Sequence, residues 1–89
     1  MTKIRIPPTL RTATGGNREV EAAGATVREV LDDLVSRFPG LRGQLLADDE
    51  LVPFVNVYVE GEDVRTKDGL ETAVHEDATV IVLPAMAGG

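Results

Sequence analysis

Near its end the chain runs Val80-Ile81-Val82-Leu83 without a polar residue, bracketed by Thr79 and Pro84. Successive side chains of an extended segment point to opposite faces, so a strand of this composition is apolar on both. It belongs inside a sheet, with strands on either side and cover above and below, and the rest of the chain has to supply them. Pro84 has no N–H to donate and is expected to stop the ladder. Ala85, Met86, Ala87, Gly88 and Gly89 then leave the sheet as free chain with a reach of roughly 17 Å. The sequence divides into a domain over residues 1–84 and a flexible Gly-Gly tail over 85–89.

Composition narrows the role. A chain of 89 residues is one small domain, too short to enclose a large catalytic cavity, so a binding module is expected rather than an enzyme. Nine Lys and Arg against fifteen Asp and Glu leave a net charge of −6. Scattered basic residues in an acidic chain argue against nucleic acid, and the net charge suggests a partner with a basic docking surface. Without cysteine there is no disulfide, thiolate metal site or cysteine nucleophile. No run approaches membrane-spanning length and the N-terminus lacks the apolar core of a signal peptide, so a cytoplasmic protein with no membrane partner is expected.

Lys3-Ile4-Arg5-Ile6 alternates charged and apolar residues, predicting a first strand with Ile4 and Ile6 inward, ended by Pro7-Pro8. Gly15-Gly16-Asn17 marks a turn into a second strand over 18–22, completing a hairpin with a wide loop. The glycine pair does not read as a phosphate cradle: no Lys-Ser or Lys-Thr follows, and a strand comes next. Thr26-Val27-Arg28-Glu29 fits a capping box. After it Val27, Val30, Leu31, Leu34, Val35 and Phe38 form one apolar helical stripe, stopped by Pro39-Gly40. Asp32 and Asp33 fall on the solvated face and read as surface charge.

Leu41 to Leu46 suggests a short helical turn and Asp48-Asp49-Glu50 an acidic loop. In Phe54-Val55-Asn56-Val57-Tyr58-Val59 the valines share one face of a strand and Phe54, Asn56 and Tyr58 the other. A turn at Glu60-Gly61-Glu62-Asp63 leads to a short strand at Val64, and Lys67-Asp68-Gly69 is another turn. Leu70 and Val74 are expected in the core. His75, alone in an acidic turn, has no companion ligands at metal-site spacing and reads as exposed.

The order strand, strand, helix, strand, short strand, strand describes an α+β domain of the β-grasp (ubiquitin-like) class, a mixed sheet with one main helix on one face. The first and last strands would run parallel at the centre. Val80 and Val82 would face the helix, leaving Ile81 and Leu83 outward beside Phe54 and Tyr58. With one helix available, these four outward residues form either a second packed layer or a docking patch for a partner. The Gly-Gly tip suggests chemistry at the Gly89 carboxylate. Adenylation makes a carboxylate a good acyl donor, and glycines at the last two positions pass a narrow enzyme channel. Residue physics leaves two outcomes for the activated end: capture by sulfur, or capture by a lysine amine as in a protein modifier.

The chain resembles the ubiquitin-like sulfur carriers of the ThiS and MoaD type, with most similarity to the CysO-type carriers of cysteine biosynthesis. The resemblance runs through Ile6-Pro7 with Leu10-Arg11, Thr14-Gly15-Gly16, Phe54-Val55-Asn56-Val57-Tyr58-Val59, Glu62-Asp63-Val64-Arg65 and the closing Leu83-Pro84-Ala85-Met86-Ala87-Gly88-Gly89. It implies that Gly89 is adenylated by a ubiquitin-activating-like adenylyltransferase and sulfurtransferase using ATP and a sulfur source, and becomes a thiocarboxylate. The carrier itself would bind no cofactor and no metal. The resemblance further implies a sulfur-accepting biosynthetic enzyme, such as a pyridoxal-phosphate cysteine synthase, and a metalloprotease that releases the product. On this reading Ala85, Met86, Ala87 and Gly88 thread the activating enzyme's channel, while Phe54, Tyr58, Ile81 and Leu83 dock. Met86 departs from the small residue expected in such a tail, but it is unbranched and fits an extended chain.

Overall fold

The computed structural model describes residues 1–48 and 50–84. Its elements are β1 (Thr2–Arg5), β2 (Glu19–Ala22), α1 (Val27–Arg37), α2 (Arg42–Leu45), β3 (Leu46–Ala47), β4 (Glu50–Leu51), β5 (Val55–Val59), β6 (Glu62–Asp63) and β7 (Thr79–Pro84). The main sheet has the order β2-β1-β7-β5-β6. β7 is central, parallel to β1 and antiparallel to β5. This is the arrangement that a strand apolar on both faces requires.

α1 covers one face. Its stripe residues Val27, Val30, Leu31, Leu34 and Val35 are buried with Ile4, Val57, Val59, Val80 and Val82 of the sheet. Phe38, the last residue of the stripe, is half-buried against this core. The helix starts as its capping residues dictate: the Glu29 amide donates to Thr26 Oγ1 at 3.3 Å. The returning Glu29 carboxylate accepts from the Ala25 amide at 2.9 Å, one residue upstream of the cap itself. Gly24 lies so close to this first turn that an added Cβ would stand 2.6 Å from the Val30 nitrogen. Leu70 and Val74, from the long connection to β7, are buried as expected.

The wide loop between β1 and β2 is a 3-10 helix over Pro8–Thr14, closed by Gly15 at φ 67° and Gly16 at φ 88°. The buried Thr14 hydroxyl reaches the carbonyls of Arg11 and Asn17 at 3.1 and 3.0 Å, so Thr14-Gly15-Gly16 is a structural turn. Glu60 and Gly61, both at positive φ, make the tight turn between β5 and β6.

Three local expectations change. The segment around Asp48 and Glu50 is a hairpin tip, since Leu46 and Ala47 pair with Leu51 and Glu50. Val64 is no strand residue: it opens a 3-10 turn over Val64–Thr66, with the Asp63 carboxylate accepting from the Arg65 amide at 2.8 Å. Pro84 does not end the ladder before itself but stands within it, opposite Val55. β1 accompanies β7 only as far as Arg5, opposite Ile81, so Pro84 has a strand on one side alone and its missing N–H is tolerated.

Candidate functional site

The site expected from the sequence is the end of β7 and the tail that follows it. The tail residues Ala85, Met86, Ala87, Gly88 and Gly89 lie outside the described residues, and the described part of the site is β7 up to Pro84 with its surroundings. Past Arg5, the first strand turns away through Ile6 and Pro7 into the 3-10 helix, with the Ile6 amide donating to the Arg18 carbonyl at 2.8 Å. That departure uncovers one flank of Leu83 and Pro84. A depression of about 310 Å³ on one side is lined by Thr9, Leu10, Gln44, Phe54, Val55 and Pro84. A shallower one of about 180 Å³ lies on the other, where Arg5, Pro8 and Arg11 meet Ile81 and Leu83.

Three of the four expected docking residues come together. Tyr58 and Ile81 are direct partners across the β5–β7 ladder, and Leu83, two residues on, pairs with Asn56. Tyr58 and Ile81 are half-buried and Leu83 is 43% exposed. Their neighbours Val80 and Val82 are buried against the helix, so alternation along one strand separates core from patch.

Phe54 is the exception. It precedes β5 in a turn that begins at Val52, whose carbonyl accepts from the Val55 amide at 3.4 Å. Pro53 at the second position sets that turn. The ring is therefore not aligned with Tyr58 on the sheet face. At 55% exposure it borders the other depression, beside Pro84. It flanks Pro84 at the end of β7, but not as part of the same patch.

The structure also brings in residues that sequence reasoning passed over. Arg65 donates to Asn56 Oδ1 and to the Val52 carbonyl, each at 2.7 Å, which sets its guanidinium next to the partner of Leu83. Arg5 is opposite Ile81. The alternation of β1 was sufficient to place Arg5 outward; nothing local pointed to Arg65. His75 is exposed, its carbonyl accepting from Thr2 Oγ1 and from the Ala78 amide. Among the described residues no group of three or more His, Asp or Glu forms a possible metal site. None of their helices is long and apolar enough to cross a membrane.

The family model for the ThiS family matches residues 4–89 of this chain. The chain belongs to the ThiS family. It is 42% identical to the sulfur carrier protein CysO of Mycobacterium tuberculosis over 89 residues, covering 97% of this chain and 96% of that protein. A crystal structure of the Amycolatopsis orientalis BexX/CysO complex contains a chain that is 48% identical, superimposes with a TM-score of 0.93 and is covered completely on both sides. The small archaeal modifier protein 3 of Haloferax volcanii is 43% identical over 65 residues, covering 73% of this chain and 71% of that protein. These relations establish the β-grasp fold and a sulfur-carrier function for this ThiS-family chain.

Proposed function

We propose that this sulfur carrier works through the carboxylate of Gly89 as its terminal group. A carboxylate oxygen attacks the α-phosphorus of ATP on an activating enzyme and pyrophosphate leaves. Sulfide then attacks the acyl carbon and AMP departs with the bridging oxygen, leaving a thiocarboxylate. The thiocarboxylate delivers its sulfur to a biosynthetic enzyme, and cysteine formation on a pyridoxal-phosphate enzyme is the acceptor that the similarity to CysO favours. ATP and the sulfur source are consumed by the partner enzyme. The carrier's own residues present the end: Ala85 to Gly88 thread the channel, and Tyr58, Ile81 and Leu83 dock, with Phe54 at the other flank of the tail.

The observation that carries this reading is the family match, whose span of residues 4–89 includes Gly88 and Gly89. The Amycolatopsis CysO chain crystallised in complex with a second protein, BexX, which supports docking as the way such a chain works. The relative named as a modifier favours a second reading, capture of the activated Gly89 by lysine amines.

Intact-mass spectrometry after incubation with an activating enzyme, ATP and sulfide separates the two. The expected product has one oxygen replaced by sulfur at Gly89, and a variant extended by one residue past Gly89 stays unmodified. Protein-sized, ATP-dependent adducts on lysines, with no thiocarboxylate, would replace the sulfur reading by the modifier reading.

A further inference from the structure

Basic side chains gather around the end of β7 in a chain that is acidic as a whole. Over the whole chain fifteen carboxylates outnumber nine basic side chains. Arg28, Arg37 and Lys67 are ion-paired, with Glu71, Asp33 and Glu62. Among the described residues Lys3, Arg5, Arg11, Arg18, Arg42 and Arg65 have no carboxylate within ion-pair reach. Arg5, Arg11 and Arg65 border the patch, where the register also places Glu19 opposite Arg5 and Asp63 opposite Tyr58.

Two of these arginines are oriented by neutral acceptors. Arg11 Nε donates to the Ile6 carbonyl at 3.1 Å, and Arg65 holds Asn56 and the Val52 carbonyl. Such acceptors aim a guanidinium without cancelling its charge. Arg5 is placed by register, opposite Ile81 on one side and Glu19 on the other. Arg5 and Arg11 share the depression with Ile81 and Leu83. Arg65 stands across β7 from them, on the partner of Leu83.

We infer that this face is a charge-keyed docking surface whose occupant is a folded protein with an apolar centre ringed by carboxylates. The inference rests on the proposed activation of Gly89 and assigns that acidic ring to the activating enzyme. Charge complementarity selects the occupant: the chain as a whole carries −6, whereas the apolar patch is bordered by Arg5, Arg11 and Arg65, so carboxylates around a partner's apolar centre favour approach by this face. A polyanion such as nucleic acid gains nothing from Ile81 and Leu83. A second copy docked face to face would set arginines against arginines. The basic partner suggested by net charge alone is the opposite of what this surface selects.

The test is pyrophosphate release by the purified activating enzyme as carrier concentration is varied. It compares the unaltered chain with Arg5→Gln, Arg11→Gln, Arg65→Gln and Arg65→Lys, with Lys3→Gln as control on the same strand. At low ionic strength kcat/KM is expected to fall about threefold to tenfold for each Gln variant, through KM, with kcat unchanged. The losses shrink as salt is raised. Arg65→Lys recovers most of the Arg65→Gln loss, which a purely structural role would not allow, and Lys3→Gln behaves as the unaltered chain. Unchanged kcat/KM in the Gln variants overturns the charge assignment, and increased values would identify a basic partner. No adenylation of the unaltered chain overturns the proposed activation and this inference together.

Discussion

The two faces of β7 have the same kind of side chain and opposite fates. Val80 and Val82 are fully buried beneath α1, while Ile81 is half-buried and Leu83 is 43% exposed. One face gains its burial from within the chain, through the helix that follows β2. The other is left uncovered by the described residues, is bordered by arginines, and can bury its apolar area against another molecule. Fully burying such a side chain is worth about 1.5–3 kcal/mol. On the inner face that free energy stabilises the fold, and on the outer face it is left for association.

The sharpest way to break this division is Leu31→Ala, which removes a leucine side chain of the helix stripe from a fully buried site. It should cost about 2–5 kcal/mol in denaturant unfolding, with carrier activity falling only as the folded fraction falls. Next comes Gly24→Ala, whose Cβ would meet the Val30 nitrogen at 2.6 Å and Glu29 Cβ at 2.7 Å. A backbone atom cannot step aside as a side-chain tip can, so a loss of about 1–3 kcal/mol is expected, seen as a lower melting temperature.

The neighbours Val82 and Leu83 sharpen the comparison most directly. Val82→Ala should destabilise by about 1–2 kcal/mol and leave KM for the activating enzyme unchanged in the folded protein. Leu83→Ala should change stability by no more than about 0.5 kcal/mol and raise that KM several-fold. Equal effects of the two on stability would remove the distinction between the faces.

The smallest effect is at the far edge of the sheet. The Lys67 ammonium, 2.8 Å from the Glu62 carboxylate, holds that carboxyl below its ordinary range through a hydrogen bond and its charge. A depressed carboxyl contributes stability that is fully present above the unfolded-state value and is lost as pH falls through the folded-state value. Lys67→Met should raise the Glu62 titration midpoint, read by NMR, and flatten this part of the acid-side stability slope, with no effect on docking.

Much of the core was legible because its causes are local. A capping threonine, an apolar stripe and alternating valines state their own geometry within a few residues, and α1, β5 and β7 formed accordingly. The candidate site was legible only where alternation reaches it, at Tyr58, Ile81 and Leu83. Phe54 left the patch because Pro53 makes a turn where the apolar run suggested continued strand. The β3–β4 hairpin escaped notice because acidic residues at its tip look like any solvated loop.

The sequence by itself determined that a strand apolar on both faces must lie at the centre of a sheet, and that one helix covers one side of it. Only the tertiary structure decided the charge of the uncovered side. Arg5, Arg11 and Arg65 come from three separate segments, and the β1–β7 register together with hydrogen bonds to Ile6, Asn56 and Val52 sets them around Ile81 and Leu83. Net charge is a sum over the chain, whereas a partner meets the field of one face, and only folding decides which charges share it.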